Sequence, residues 1–104
     1  MPRKPFAKYL PWWMQKHIRN QERRAAVRKR DGDECWHCGN PMRFGPPFNA
    51  GKAATIEHVM PLSQGGTWAL GNLRLCHGRC NRHLGAHSPE QKERMRLPRP
   101  LTGR

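Results

Sequence analysis

Two groups of metal-binding side chains flank a lone carboxylate in this chain. Cys35 and Cys38 stand at C-x2-C spacing, Cys76, His77 and Cys80 follow further along, and Glu57-His58 lies between them. Tetrahedral structural zinc takes four Cys or His ligands, supplied as two closely spaced pairs from separate turns, and these residues can provide both pairs. In the second pair Cys80 is unambiguous, whereas its partner is either His77 at x2 or Cys76 at x3. We favour His77, which leaves Cys76 as a buried residue at a strand end. The alternatives are ordinary buried cysteines or a redox C-x2-C. A redox site needs no second half-site, and the βαβ pattern that would house one is missing.

Between Cys35 and Ser88, Glu57 is the single acidic residue against five Lys or Arg. A carboxylate on a basic surface that must hold phosphate works against binding unless it coordinates a cation, so Glu57 is a candidate ligand for a second ion. His58 beside it carries the one side chain whose ordinary pKa lies near neutrality, and it can take a proton from water without special tuning. The plainer alternative is a structural ion pair between Glu57 and His58 on a hairpin. Strict strand alternation would send their side chains to opposite faces, so either the strand is irregular there or metal and water approach from different sides.

Twenty Lys and Arg against seven Asp and Glu give a formal net charge of +13, which favours association with a polyanion through counterion release. DNA is the expected partner, ahead of an acidic protein, an anionic membrane surface or a simple solubility role. No apolar run approaches the roughly 20 residues of a membrane-spanning helix. No leader of signal-peptide type precedes the cysteines, so a reducing cytoplasm, bacterial or that of a phage-infected host, is the expected compartment. A chain of 104 residues with 36% apolar content bounds its core tightly and calls for a staple.

The elements that position these residues follow from punctuation. Residues 1–11 combine Pro2, Pro5 and Pro11 with Arg3, Lys4 and Lys8 and read as a flexible basic arm. From Trp12 to about Arg30 there is no Gly or Pro, and Met14, Ile18 and Ala25, with Val27 nearby, predict a narrow docking stripe on a basic helix whose first turn accommodates Pro11. Asp31-Gly32-Asp33 ends it, and residues 34–39 form a knuckle in which Gly39 permits a positive φ. Residues 41–54 read as a loop without assignable chemistry. Residues 53–59 predict a strand ending at Pro61, 63–67 a turn, and 72–75 the returning strand. A short helix is expected from Cys80 to about His87, broken or capped at Gly85, and a last helix from the Ser88-Pro89 start to about Leu97.

The string C-x2-C, then IEHVMPLSQGG, then GNLRL, then H-x2-C-N resembles the HNH endonucleases of the ββα-metal (His-Me finger) superfamily, over roughly residues 19–85. The resemblance implies an α+β fold, a small ββα-metal finger with a zinc-binding knuckle pair, flanked by an N-terminal basic helix and a short C-terminal helix. It gives one nuclease domain over 12–97 with its core at 31–87, and a disordered tail over 98–104. It assigns Glu57 to the first metal-ligand position, more often Asp, and His58 to the general base. Asn72 becomes the residue that holds the loop and orients the base, and Asn81 a metal ligand that is His in other members. It implies DNA cleavage leaving 5′-phosphate and 3′-hydroxyl ends, with structural Zn2+ and one catalytic divalent ion, Mg2+ or else Mn2+ or Ni2+. Arg74, Arg79 and Arg82 lie near enough in sequence to clamp neighbouring phosphates, with Arg24 and Arg28 of the basic helix as further contacts. His83 and His87 are reserves for phosphate contact or a missing ligand.

Two other readings stay open. One is a zinc-knuckle DNA-binding module without catalysis. The other is a junction-resolving nuclease of the same superfamily, because LCHGRCNRHLG is similar to the zinc-binding segment of a phage recombination endonuclease. Small free-standing members of the family are common in phages, so phage or host DNA-processing proteins are further candidate partners, and a monomer or weak dimer is expected. Substrate specificity and nicking versus double-strand cleavage are not legible in the sequence.

Overall fold

In a computed structural model of the chain the described residues are 9–47 and 50–97. The expected arm, apart from residues 9–11, and the expected tail lie outside them. The element order is α1 (Trp12–Asp31), β1 (Ala54–His58), β2 (Leu73–His77), α2 (Gly78–Leu84) and α3 (Pro89–Met95). No helix among the described residues is long and apolar enough to cross a membrane.

Helix α1 begins where Pro11 cannot continue a hydrogen-bond ladder upstream. Pro11 sits at the N-cap, one position before the first turn expected for it, and its carbonyl accepts from Met14 N and Gln15 N, each at 3.0 Å. The helix ends at Gly32, whose φ of 89° turns the chain while its N–H still reaches Arg28 O at 2.7 Å. The expected stripe is only partly realised: Val27 is buried and Met14 and Ile18 half-buried, but Ala25 is exposed. The packed stripe passes instead through Asn20, Arg23, Arg24 and Val27, because long basic side chains can lay aliphatic stems on apolar surface while their heads reach water.

The two strands form an antiparallel hairpin, with Ala54 opposite His77, Ile56 opposite Leu75, Glu57 opposite Arg74 and His58 opposite Leu73. The ladder is regular through His58, so alternation is obeyed and the irregular strand is not found. Ala54 lines a groove with Gln21, Arg24 and Arg28 of α1, which marks one covered face. On the other face Asn81 of α2 reaches Thr55 and Lys92 of α3 reaches Glu57. Helices thus cover both sides of a two-stranded ribbon that would be marginal alone.

The core is small: Val27, Cys35, Met42, Ala54, Leu73, Leu75, Cys76, Cys80 and Leu84, with Trp36, Phe44, Ile56 and Met95 against it. Cysteines are prominent among these residues, so the metal-binding cluster and the hydrophobic core are one object. β2 runs straight into α2, which therefore starts at Gly78, two residues earlier than expected, and is capped at Gly85 as expected. Ser88 caps α3 as expected, its Oγ accepting from Gln91 N at 3.2 Å. α3 stops at Met95 so that Arg96 Nε can donate to Trp36 O at 2.7 Å and Leu97 N to His37 O at 2.9 Å, which ties the chain's end to the knuckle.

The turn after β1 is tight for a specific reason. A Cβ on Gly66 would stand 1.8 Å from Met60 O and 2.8 Å from Pro61 O, whereas one on Gly71 meets nothing within 4 Å. We therefore expect Gly66→Ala to lower unfolding free energy by about 1–3 kcal/mol through overpacking, and Gly71→Ala to be near neutral. Chemical denaturation of both variants at fixed zinc checks this.

Candidate metal centre and active site

Cys35, Cys38, His77 and Cys80 each offer one ligand atom, and these atoms all lie within 4.8 Å of one another. The knuckle supplies the first pair: Gly39, at φ 79°, closes it with Gly39 N donating to Cys35 O and Cys35 N to Asn40 O, both at 2.9 Å. The β2–α2 junction supplies the second. His77 Nδ1 lies 3.4 Å from Cys38 Sγ and 3.8 Å from Cys80 Sγ, close to the roughly 3.3–3.8 Å that separates donors around a tetrahedral zinc ion. His77 Nε2 lies 2.9 Å from Pro41 O, so the ring N–H donates there and Nδ1 keeps its lone pair for metal. The stretch 41–54, expected to carry no chemistry, thus supplies the outer partner of a metal ligand. His77 N also donates to Cys35 Sγ at 3.4 Å.

Electrostatics favour a cation in this cluster. The Cys35 thiol is pulled down to about 3, first by a hydrogen bond from the Cys76 thiol and further by backbone N–H groups. Burial and the negative charge of Cys35 push the Cys80 thiol up to about 12. The Cys35 thiolate therefore holds Cys80 protonated, and a bound cation would let the two ionise together. Cys76 is buried beside Cys35 as its hydrogen-bond donor and is no part of the ligand cluster.

At the other end of the hairpin, one asparagine bonds to β1 just before Glu57-His58 and a second bonds to the loop just after it. Asn81 Nδ2 donates to Thr55 Oγ1 at 3.1 Å and to Ile56 O at 2.7 Å, just before the pair. Asn72 lies just after it: its backbone O accepts from Val59 N at 2.9 Å, its Oδ1 accepts from Met60 N at 2.8 Å, and its Nδ2 donates to Met60 O and Thr67 O. Asn72 thereby closes the loop over residues 60–67.

Glu57 is 2% exposed, and Lys92 Nζ lies 2.5 Å from its Oε2. The structural ion pair that the sequence allowed between Glu57 and His58 is made instead with Lys92, whose Nζ also donates to His58 O at 2.7 Å. Burial raises the pKa of the Glu57 carboxyl, and the Lys92 ammonium offsets part of that rise. The His58 ring packs edge-on to Trp68 at 4.3 Å between centroids, and the Arg23 guanidinium caps Trp68 at 4.2 Å. Burial first, then the charges of Lys92 and Arg23, push the His58 pKa below its ordinary value. His58 Nε2 is buried with no hydrogen-bond partner among the described residues.

The five arginines expected to meet phosphate are spread over the molecule. Arg79 and Arg82 are exposed on α2 beside Gly51. Arg24 and Arg28 line the groove between α1 and Phe44 on the opposite side of the hairpin. Arg28 is engaged with Asp33 at 2.7 Å and stacks over Phe44 at 3.8 Å, while Arg74 donates to Gly71 O and Leu73 O. His83 is placed against His37, with ring centroids 5.5 Å apart. Sequence reasoning missed Lys92, Trp68 and Arg23. The available signal for Lys92 was its place three residues before Met95, on the inward stripe of α3.

For the metal centre we expect His77→Ala to lose bound zinc and Cys76→Ser to retain about one equivalent. Zinc analysis of the two purified variants decides between them, and retained zinc in His77→Ala would overturn the ligand assignment.

The geometry can be set beside known proteins. The family model for the HNH endonuclease matches residues 35–87, a span that runs from the first knuckle cysteine past α2. No curated protein and no solved structure matches the chain significantly. The matched span covers just over half of the 104 residues and contains the cysteine–histidine cluster, Glu57-His58, Asn72 and Asn81. The chain therefore belongs to the HNH endonuclease family.

Proposed function

We propose that this protein is a metal-dependent endonuclease that hydrolyses DNA phosphodiester bonds and leaves 5′-phosphate and 3′-hydroxyl ends. The observation that carries this reading is the bracketing of Glu57-His58 by two asparagines, Asn81 before it and Asn72 after it. That arrangement holds a carboxylate and an imidazole at one end of a rigid hairpin.

Glu57 and Asn81 are the residues that would hold the catalytic ion. The Asn81 amide nitrogen is spent on Thr55 and Ile56, which leaves its carbonyl oxygen as the ligand atom. A carboxylate and an amide oxygen form a hard donor set that suits Mg2+ or Mn2+ with water completing the shell. When bound, such an ion supplies positive charge to the non-bridging and leaving oxygens of the phosphate.

His58 takes the proton from the attacking water. The water oxygen bonds to phosphorus, the P–O3′ bond breaks, and the 3′ oxygen leaves as an alkoxide that takes a proton from solvent water to become the hydroxyl. A lowered His58 pKa keeps the imidazole neutral, and so able to act as a base, around neutral pH. Trp68 and Arg23 fix the ring's orientation, and Asn72 fixes the loop that follows it. Exposed Arg79 and Arg82 on one side and the groove of Arg24 and Arg28 on the other are the surfaces offered to flanking phosphates. Cys35, Cys38, His77 and Cys80 would hold a structural zinc ion, whose role would be to fix the fold.

We expect supercoiled plasmid to be nicked or linearised only with a divalent ion such as Mg2+ or Mn2+. His58→Ala should reduce the rate at least about 100-fold, the usual worth of a general base, with zinc content and circular dichroism unchanged. Undiminished cleavage in that variant would sink the mechanism. Preference for a four-way junction over linear duplex would identify the protein as junction-resolving.

A further inference from the structure

Lys92 is the buried charge that the proposed chemistry does not use. It is 1% exposed and projects from α3, which begins beyond the matched span of residues 35–87. Its ammonium touches both members of the pair at the centre of the proposed site, Oε2 of Glu57 at 2.5 Å and the carbonyl of His58 at 2.7 Å. A buried ion pair adds little net stability over an apolar replacement of similar volume, so its placement on these two residues asks for another account.

We infer that Lys92 is a resident cation at the proposed ion site, which a divalent metal must displace in order to load. This inference rests on the reading of Glu57 as a metal ligand. An ion coordinated by Glu57 would sit about 2.0–2.6 Å from a carboxylate oxygen. The ammonium already lies 2.5 Å from one of those oxygens, so both cations would share a single carboxylate. Like charges so close in a poorly solvated site repel strongly.

Charge balance points the same way. Glu57 and Lys92 are neutral as a pair; adding a divalent ion while the ammonium stays would leave an excess of two positive charges, and displacing it leaves one, which the substrate phosphate neutralises. The four-carbon stem of lysine is flexible, so Nζ can swing to solvent while α3 stays held by the Ser88 cap and by the Arg96 and Leu97 bonds to the knuckle. Lys92 is accordingly a determinant of metal affinity: it keeps Glu57 satisfied without metal and weakens metal binding by competition.

The test uses the full-length, zinc-loaded protein and Mn2+ as the probe. Reductive methylation followed by mass spectrometry should find Lys92 protected without Mn2+ and reactive at saturating Mn2+, while exposed Lys16, Lys29 and Lys52 react in both conditions. Glu57→Gln should abolish the Mn2+-induced change. By calorimetry Lys92→Met should bind Mn2+ at least tenfold more tightly than the unaltered chain. Lys92 remaining protected at saturating Mn2+, or Mn2+ binding no tighter in Lys92→Met, would overturn the inference. Should Lys92→Met fail to fold, the labelling of the unaltered protein decides alone. Protection of Lys92 throughout, alongside metal-dependent nicking, would remove the inference and leave the endonuclease reading standing. Mn2+-induced exposure without nicking would do the reverse.

Discussion

The four-donor cluster at the meeting of the knuckle and the β2–α2 junction is the constraint on which the rest of the molecule depends. His77 closes β2 and Cys80 lies in the first turn of α2, so drawing both toward Cys35 and Cys38 sets the angle at which the helix leaves the strand. Asn81 follows Cys80 directly. Once that helix is set, its side chain has no choice but to meet Thr55 and Ile56 on the facing strand. The backbone bond from Trp36 N to Leu75 O, at 2.9 Å, carries the same restraint to the hairpin edge. In a core this small, a metal bound by this cluster would do work that a larger domain assigns to buried apolar area.

The hairpin separates the two residues of the central pair by simple alternation. His58 turns toward α1, where Trp68 and Arg23 enclose its ring, and Glu57 turns toward α2 and α3, where Asn81 and Lys92 lie. Each layer of helix thus equips one residue. The α1 side provides a partly desolvated, positively charged surround that keeps an imidazole neutral. The opposite side provides the Asn81 amide and a buried ammonium, which pairs with the Glu57 carboxylate.

Much of this was legible in the sequence where the signal is local. C-x2-C and H-x2-C spacings bring ligands onto one turn, Gly32 and Gly85 end helices, and Ser88-Pro89 starts one, because each acts within a few residues through backbone geometry. The reading of His77 over Cys76, made from spacing with Cys76 as a buried strand-end residue, agrees with the cluster, since on a strand adjacent side chains face opposite ways. The docking face of α1 departs from its apolar period at Ala25, which is exposed. A helix packed through arginine stems leaves no apolar period to find.

The sequence by itself determined the cysteine–histidine cluster, the hairpin and its helices, the strongly basic charge and the family to which the chain belongs. Only the tertiary structure decided what surrounds the central pair: Lys92 on Glu57, Trp68 and Arg23 on His58, and the Pro41 carbonyl on His77. The physical reason is the range of the interactions. Caps, turns and closely spaced ligands are fixed by the few residues they span, whereas contacts such as that between residues 57 and 92 exist only after the helices have packed. A buried ammonium also leaves no trace in a pattern of hydrophobicity, which predicts lysine at the surface.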